Sequence, residues 1–459
     1  MRDAVVIAGG QGFYGDSPRA VETLLRENVD YLCLEALAEL TLAILQKDFQ
    51  RDERRGYTRD LPRYLHAALP RVAESGLKVI TNAGGINPVA AGRAAIETAR
   101  ELGLTGMKIA TVTGSDLTAR VDELRSAGVA FSHLDTGVPF DPSTPDAVRF
   151  ATAYLGARPI VDALRAGADV VITGRVADAA LFLAPLVHEF DWAWDDWDRL
   201  ASGVLIGHLL ECSGQSVGGN DSSPGWDAGD PTLDLPYPIA TCTPDGAAVI
   251  SKPRGTSGRV TFDTVRQQLL YEVHDPAAYA SPDVVCDLTT TELTDLTEDR
   301  VRVSGTTGHP APDDYKVLIA RPAGFSGETV VAFSWPHALR KAEVTAEYFK
   351  ARVEAVGHVV DEWHVEFWGV NALAGSAAVP NPDPPEVALR VAWRCRDESA
   401  AAAVAREMTP LVLSGPAAGL TGMGASFGGK AREMLAIWPT LIPRTLVDPH
   451  VSVTVEPVA

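Results

Sequence analysis

The sequence predicts an α/β protein: a doubly wound parallel sheet, a β-rich middle segment and a smaller C-terminal α+β unit. Three observations carry this reading. Up to about residue 185, short β-branched runs alternate with Gly-, Asn- or Asp-bearing loops and helical stretches. The runs are apolar almost throughout, as strands covered on both faces are. Beyond the Pro-, Gly- and Asp-rich segment 222–238 the rhythm changes to closely spaced β-rich runs.

In chain order, the predicted strands of the first part are "AVVIA" (4–8), "YLCLE" (31–35), "KVITN" (78–82), "KIATVT" (108–113) and "DVVIT" (169–173). The helix after "GIN" has Asn87 as N-cap, Pro88 in its first turn and Gly103 as its stop. Asp16 or Ser17 is expected to cap the helix that Pro18 opens. The middle segment contributes "AAVISKP", "GRVTFDTV", "RVRVSG" and "DYKVLIA"; the last part has "DEWHVEFWGV", "VALRVAWRC" and a helix from about Glu398. The expected divisions are an α/β core over 1–245, a β-rich segment over 246–340 and an α+β domain over 341–459. The glycine-rich stretch between Gly415 and Gly429 reads as a lid or a long surface loop.

The bulk properties exclude several classes. At 459 residues, two or three domains are expected. A hydrophobic content of 46% is that of a globular chain, not a disordered one. The formal charge of −20 opposes general binding to nucleic acid or to an anionic membrane. Five scattered cysteines with no C-x-x-C pair argue against a disulfide scaffold and fit a reducing cytoplasm. A strand begins within a few residues of the N-terminus, and no apolar run approaches about 20 residues, so secretion and membrane spanning are not expected. Homo-oligomerisation is the base-rate expectation.

Gly10, Gly12 and Gly15 spell G-x-G-x-x-G after the first strand. In a dinucleotide fold the helix starts inside that motif and offers its amides to the pyrophosphate. Here Pro18 starts the helix beyond the last glycine, and Asp16 sets a carboxylate where phosphate would approach. The glycines are better explained as a tight loop that carries Tyr14 and Asp16. The other strands also end in polar groups: Glu35, Asn82, Asp116, and Arg175 with Asp178. In an open parallel sheet those ends share one edge, where ligands bind. The alternative is that these residues cap helices, and that Arg175 and Asp178 are only an i,i+3 pair.

Two further stretches hold candidate chemistry. His208 and Glu211 share a helix face, with Cys212 beside them, as an acid/base pair or a core contact; the glycines after them and Asn220 are candidate oxyanion donors. Lys252, Arg254 and Arg259 surround Ser257 in a glycine turn that suits phosphate, for instance that of a coenzyme A thioester, or is a solvated hairpin tip. His188 and Glu189 read as a structural helix end.

Several of these stretches together, "GFYGDSP", "KVITNAGGINP", "YLGARPIVDALRAGADVVITGRVADAALFLAPLVHEF", "GHLLECSGQSVGGN", "KPRGTSG" and "LIPRTLV", resemble the acyclic terpene utilisation AtuA family, in order and over nearly the whole chain. The resemblance implies breakdown of branched acyclic isoprenoids, whose acids are handled as coenzyme A thioesters; it carries over no catalytic residues. The residues themselves suggest a hydratase or lyase acting on an acyl thioester or small carboxylic acid, and the resemblance implies that its acyl group is branched. Asp16 or Asp178 would be the general base, Arg175 would hold a carboxylate or carbonyl oxygen, and Asn82 with Asn220 would stabilise an oxyanion. No metal or cofactor is assigned, coenzyme A entering only as the carrier of the substrate. Two other readings stand beside this one: a non-catalytic subunit that binds acyl thioesters for a partner enzyme, and metal-dependent hydrolysis through Asp16, Glu35, Asp116 and His208.

Overall fold

The computed structural model describes residues 2–140, 148–227, 229–379, 381, 383–417, 419–422 and 430–459. Residues 418 and 423–429 of the glycine-rich stretch lie outside the described residues. The chain divides into two compact units, 1–319 with 437–459, and 320–436. This differs from the three expected divisions, because the β-rich run after residue 246 joins the first sheet and the C-terminal residues return to it.

The first unit is a mixed α/β structure. Its first eight strands are β1 (Val5–Gln11), β2 (Tyr31–Leu34), β3 (Lys78–Gly85), β4 (Lys108–Thr113), β5 (Phe150–Ala153), β6 (Val170–Gly174), β7 (Ile239–Cys242) and β8 (Ala248–Ser251). A ten-stranded sheet runs, from one edge, Glu292–Thr297, Arg300–Ser304, β8, β7, β1, β2, β3, β6, β4 and Ser452–Pro457. Only β1, β2, β3, β6 and β4 are parallel to one another. The sheet is therefore mixed, not parallel throughout. Strands β7 and β8 are joined by a short turn and must pair antiparallel, which carries the sheet outward beyond β1; Ser452–Pro457 pairs antiparallel with β4.

Side-chain alternation along the central strands builds two cores. Ala8, Leu32, Val79 and Ile172 pack on the face that carries helices Arg19–Leu24, Leu61–Ser75 and Pro88–Glu101. Ile7, Cys33, Ile80 and Val171 pack on the face of helices Arg158–Arg165, Ala180–Phe190 and Trp197–Leu210. Helices thus cover both faces, but β1, β2 and β3 step in one direction without the reversal at β1 that the doubly wound order has. The switch lies between β3 and β6. Pro88–Glu101, which follows β3, goes to one face, and Ala180–Phe190, which follows β6, goes to the other. Adjacent strands whose helices leave to opposite faces open a crevice at their C-terminal ends.

The second unit pairs Glu362–Trp368 and the end of Asp314–Ser334 antiparallel to Glu386–Cys395. Helices Ala338–Ala355 and Glu398–Arg406 close its core around Phe333, Phe349, Leu389 and Trp393.

Local signals fare unevenly. The Asn87 side chain accepts from Ala90 N at 3.1 Å, and Gly103 takes a φ of 69°, as a cap and a stop require. The helix after Pro18 has no side-chain cap; it spans Arg19–Leu24 with Pro18 in the capping position. Gly12 has a different necessity. A Cβ there would lie 2.3 Å from Ser213 N and 2.4 Å from Ser213 Oγ, so the glycine loop touches the end of helix Trp197–Leu210 through bare backbone. Gly12→Ala is expected to destabilise the fold by about 1–3 kcal/mol, read as a lower midpoint of thermal unfolding; an unchanged midpoint contradicts this packing.

Candidate active site

The strand ends converge on a buried guanidinium. Arg175 follows β6 and is 3% exposed. Its Nη1 donates to the Leu37 carbonyl at 2.7 Å and lies 3.8 Å from Glu35 Oε1. Its Nη2 lies 3.0 Å from Asp178 Oδ1. The guanidinium carbon stands 4.0 Å from the centroid of the Tyr154 ring, and Tyr154 donates its hydroxyl to Glu39 Oε1 at 2.8 Å. Helix Ala180–Phe190 begins beyond both residues, so Arg175 and Asp178 pair in the turn between strand and helix and not along a helix face.

Glu35 and Asn82 brace this centre. Glu35 Oε1 accepts from Leu37 N and from Asn82 Nδ2, each at 2.8 Å, and Asn82 Oδ1 accepts from Ala36 N at 2.7 Å. Asn82 is thereby engaged at both ends of its amide. The ends of β2 and β3 are fixed together, and Leu37 O is set where Arg175 reaches it.

The electrostatics follow from burial. Removing the Asp178 carboxyl from water is the largest effect and pushes its pKa up to about 7; Arg175 and Lys316 oppose the rise, Glu211 and Glu39 reinforce it. Burial also holds Glu35 well above the ordinary carboxylate range, with Asp178 adding and Arg175 and Asn82 opposing. Burial works against the charge on Arg175, but Asp178, Tyr154 and Glu35 outweigh it and raise its pKa. A third of the Asp178 side chain, 34%, stays accessible although Oδ1 is buried against Arg175, so the side chain has one open face.

The second half of the site comes from helix Trp197–Leu210. His208 is buried, its Nδ1 lies 3.0 Å from Glu211 Oε1, and its ring centroid is 5.5 Å from that of Tyr279. Burial opposes the imidazolium, yet Glu211, with the nearby backbone of Gln268 and Leu269 assisting, raises the His208 pKa. The charge of Glu211 acts on Asp178, which places the two halves in one electrostatic environment. Three buried atoms here have no hydrogen-bond or ion-pair partner: Arg175 Nε, His208 Nε2 and Glu211 Oε2. Buried polar atoms are seldom left so, and a polar ligand is their natural complement.

The remaining sequence candidates lie in other networks. Asp16 accepts from four donors, Gly12 N, Ser17 N, the Ser213 hydroxyl and the Tyr237 hydroxyl, which occupies a carboxylate fully. Asn220 is exposed and donates to Gln215, apart from the bonds that engage Asn82. Asp116 is exposed and accepts from the backbone and hydroxyl of Thr118, a turn contact. Lys252 pairs with Asp299 at 3.0 Å, Arg259 grips Asp221, Ser257 is bound to Asp234 O, and Arg254 is exposed. The turn does not present three free cations to a phosphate. Among the described residues no three His, Cys, Asp or Glu side chains are grouped as a metal would need, and Asp16, Glu35, Asp116 and His208 are not brought together.

Tyr154, Glu39, Lys316 and Tyr279 are site residues that the sequence reading missed. Tyr154 follows β5, a four-residue strand with little periodicity to reveal it. Glu39 lies four residues after the strand-end Glu35 and carried a signal in that spacing. Lys316 and Tyr279 reach the site only through tertiary placement.

The fold and these residues define an α/β protein with a cluster of buried ionisable side chains at the carboxyl ends of its parallel strands. The family model described as acyclic terpene utilisation family protein AtuA matches residues 5–453. The chain belongs to that family, which implies a part in acyclic terpene utilisation. No curated protein and no solved structure matches it. Among the described residues no helix is long and apolar enough to cross a membrane.

The raised Asp178 pKa fixes the sign of a stability effect. The unfolded chain gives up this proton near pH 4 and the folded chain near 7, so rising pH favours unfolding across that window. Asp178→Asn removes this contribution. Between pH 5 and 8 the wild-type protein is expected to lose about 1–2 kcal/mol relative to the variant, solvent screening at the open face having been allowed for. Parallel urea unfolding curves at the two pH values measure it, and equal pH dependence contradicts the assignment.

Proposed function

We propose that the protein is a hydratase or lyase that moves a proton at the carbon next to a carboxylate or thioester carbonyl of a branched acid. The observation that supports this most is Asp178: a carboxyl with a pKa of about 7, an open face, and a fixed cation behind it. A group that titrates near the working pH serves proton transfer best. Asp178 is preferred to Asp16 as general base because Asp16 has no lone pair left for a substrate proton.

In the hydration direction ionised Asp178 takes a proton from water as its oxygen bonds to the β-carbon of a conjugated double bond. The electron pair moves into the carbonyl as an enolate. His208, whose hold on a proton Glu211 strengthens, returns a proton to the α-carbon. Water is added as H and OH, and dehydration is the reverse. Arg175 acts mainly on Asp178, which its Nη2 faces at 3.0 Å, and it is itself almost wholly buried. Asn82 holds Glu35 in place.

Incubation of the purified protein with branched unsaturated acids and their thioesters in heavy-oxygen water, read by mass spectrometry, is expected to show labelled gain of water. The rate should rise through an apparent pKa near 7, and Asp178→Asn should lower turnover by roughly 10²–10⁴-fold. Thioester binding with no turnover on any substrate would instead favour the non-catalytic binding subunit.

A further inference from the structure

Arg175 is the cation that the sequence offers for gripping a substrate acid group, but it is buried and its charge already faces protein partners. One terminal nitrogen is committed to Leu37 O, the other faces Asp178, and the guanidinium stacks on Tyr154. At 3% exposure it offers little to an acid group that arrives from solvent, and an exposed cation beside it is better placed to meet one.

Lys316 lies on strand Asp314–Ser334, and Tyr154 N donates to its carbonyl at 3.0 Å, which fixes the two residues side by side. Strand alternation sends Tyr315 and Val317 into the core and leaves Lys316 exposed. Its Nζ stands 4.9 Å from the centroid of the same Tyr154 ring that Arg175 covers. Its charge acts on both Asp178 and Glu39, yet among the described residues it forms no salt bridge or hydrogen bond through Nζ. Lys316 is therefore a cation with uncommitted donors, placed by an aromatic ring at a centre that holds Glu35, Glu39, Asp178 and Glu211. Such a group meets an oxyanion from outside without taking the proton-transfer carboxyl out of service.

We propose that Lys316 binds the carboxylate of the substrate, and that the protein acts on a free branched carboxylic acid rather than on a neutral acyl derivative. This rests on the reading of Asp178 as the proton-transfer group only for where the acid lies, next to the reacting carbon. The recognition step belongs to Lys316.

The test is calorimetric binding of 3-methylbut-2-enoate and of its neutral amide to four forms of the full-length protein: wild type, Lys316→Met, Lys316→Arg and Asp178→Asn. Met keeps the length and the contact with Tyr154 but has no charge, and an exposed position tolerates it. Wild type is expected to bind the acid better than the amide. Lys316→Met should weaken the acid by about tenfold or more and leave the amide unchanged, while Lys316→Arg retains most of the acid affinity. Acid binding by Lys316→Met equal to wild type overturns the proposal, as does no preference for the acid in wild type. Asp178→Asn separates the two ideas. It should keep acid binding while losing turnover; if turnover persists, the proton-transfer reading fails and the Lys316 result is judged on binding alone.

Discussion

The structure depends on how the positive charge of Arg175 is accommodated away from water. A buried guanidinium is costly unless its donors and its charge are both met. Leu37 O meets one nitrogen and the Asp178 carboxyl another, while Glu35 and the Tyr154 ring supply further negative potential. These partners come from the segments after β2, β5 and β6, and β3 joins through Asn82, which holds Glu35. One charge thus draws four strand ends to a single point. That point falls at the carboxyl ends of β3 and β6, where the helices that follow part to opposite faces.

The local charge does not balance. Glu35, Glu39, Asp178 and Glu211 share this environment with Arg175, Lys316 and His208. Burial and mutual repulsion raise Glu35 and Asp178, and Asp178 is the one with an open face. Asp16 shows the converse arrangement. Its four donors make it a tie between the glycine loop, Ser213 and Tyr237. The two aspartates differ in what each has left to offer a ligand, because of how many hydrogen bonds each receives.

Much of the site was legible because it stands at strand ends. Glu35, Asn82, Arg175 and Asp178 could be placed on one edge once five strands had been read as parallel, and the three-residue spacing of His208 and Glu211 was enough to pair them. The antiparallel flanks of the sheet were not legible: whether a β-rich run forms its own layer or extends an existing edge is decided by pairing, which no local pattern encodes. The same limit hid Lys316, whose strand alternation shows that it points away from the core but not toward what. The cations near Ser257 misled for another reason. Lys252 and Arg259 are neutralised by Asp299 and Asp221, residues distant in sequence.

The most direct measurement is a carbon-13 NMR titration of the Asp178 carboxyl, assigned by its disappearance in Asp178→Asn. The account predicts a midpoint near pH 7. A midpoint near 4, where an ordinary aspartate titrates, would mean that the centre around Arg175 holds a simple ion pair, and would contradict Asp178 as the proton-transfer group.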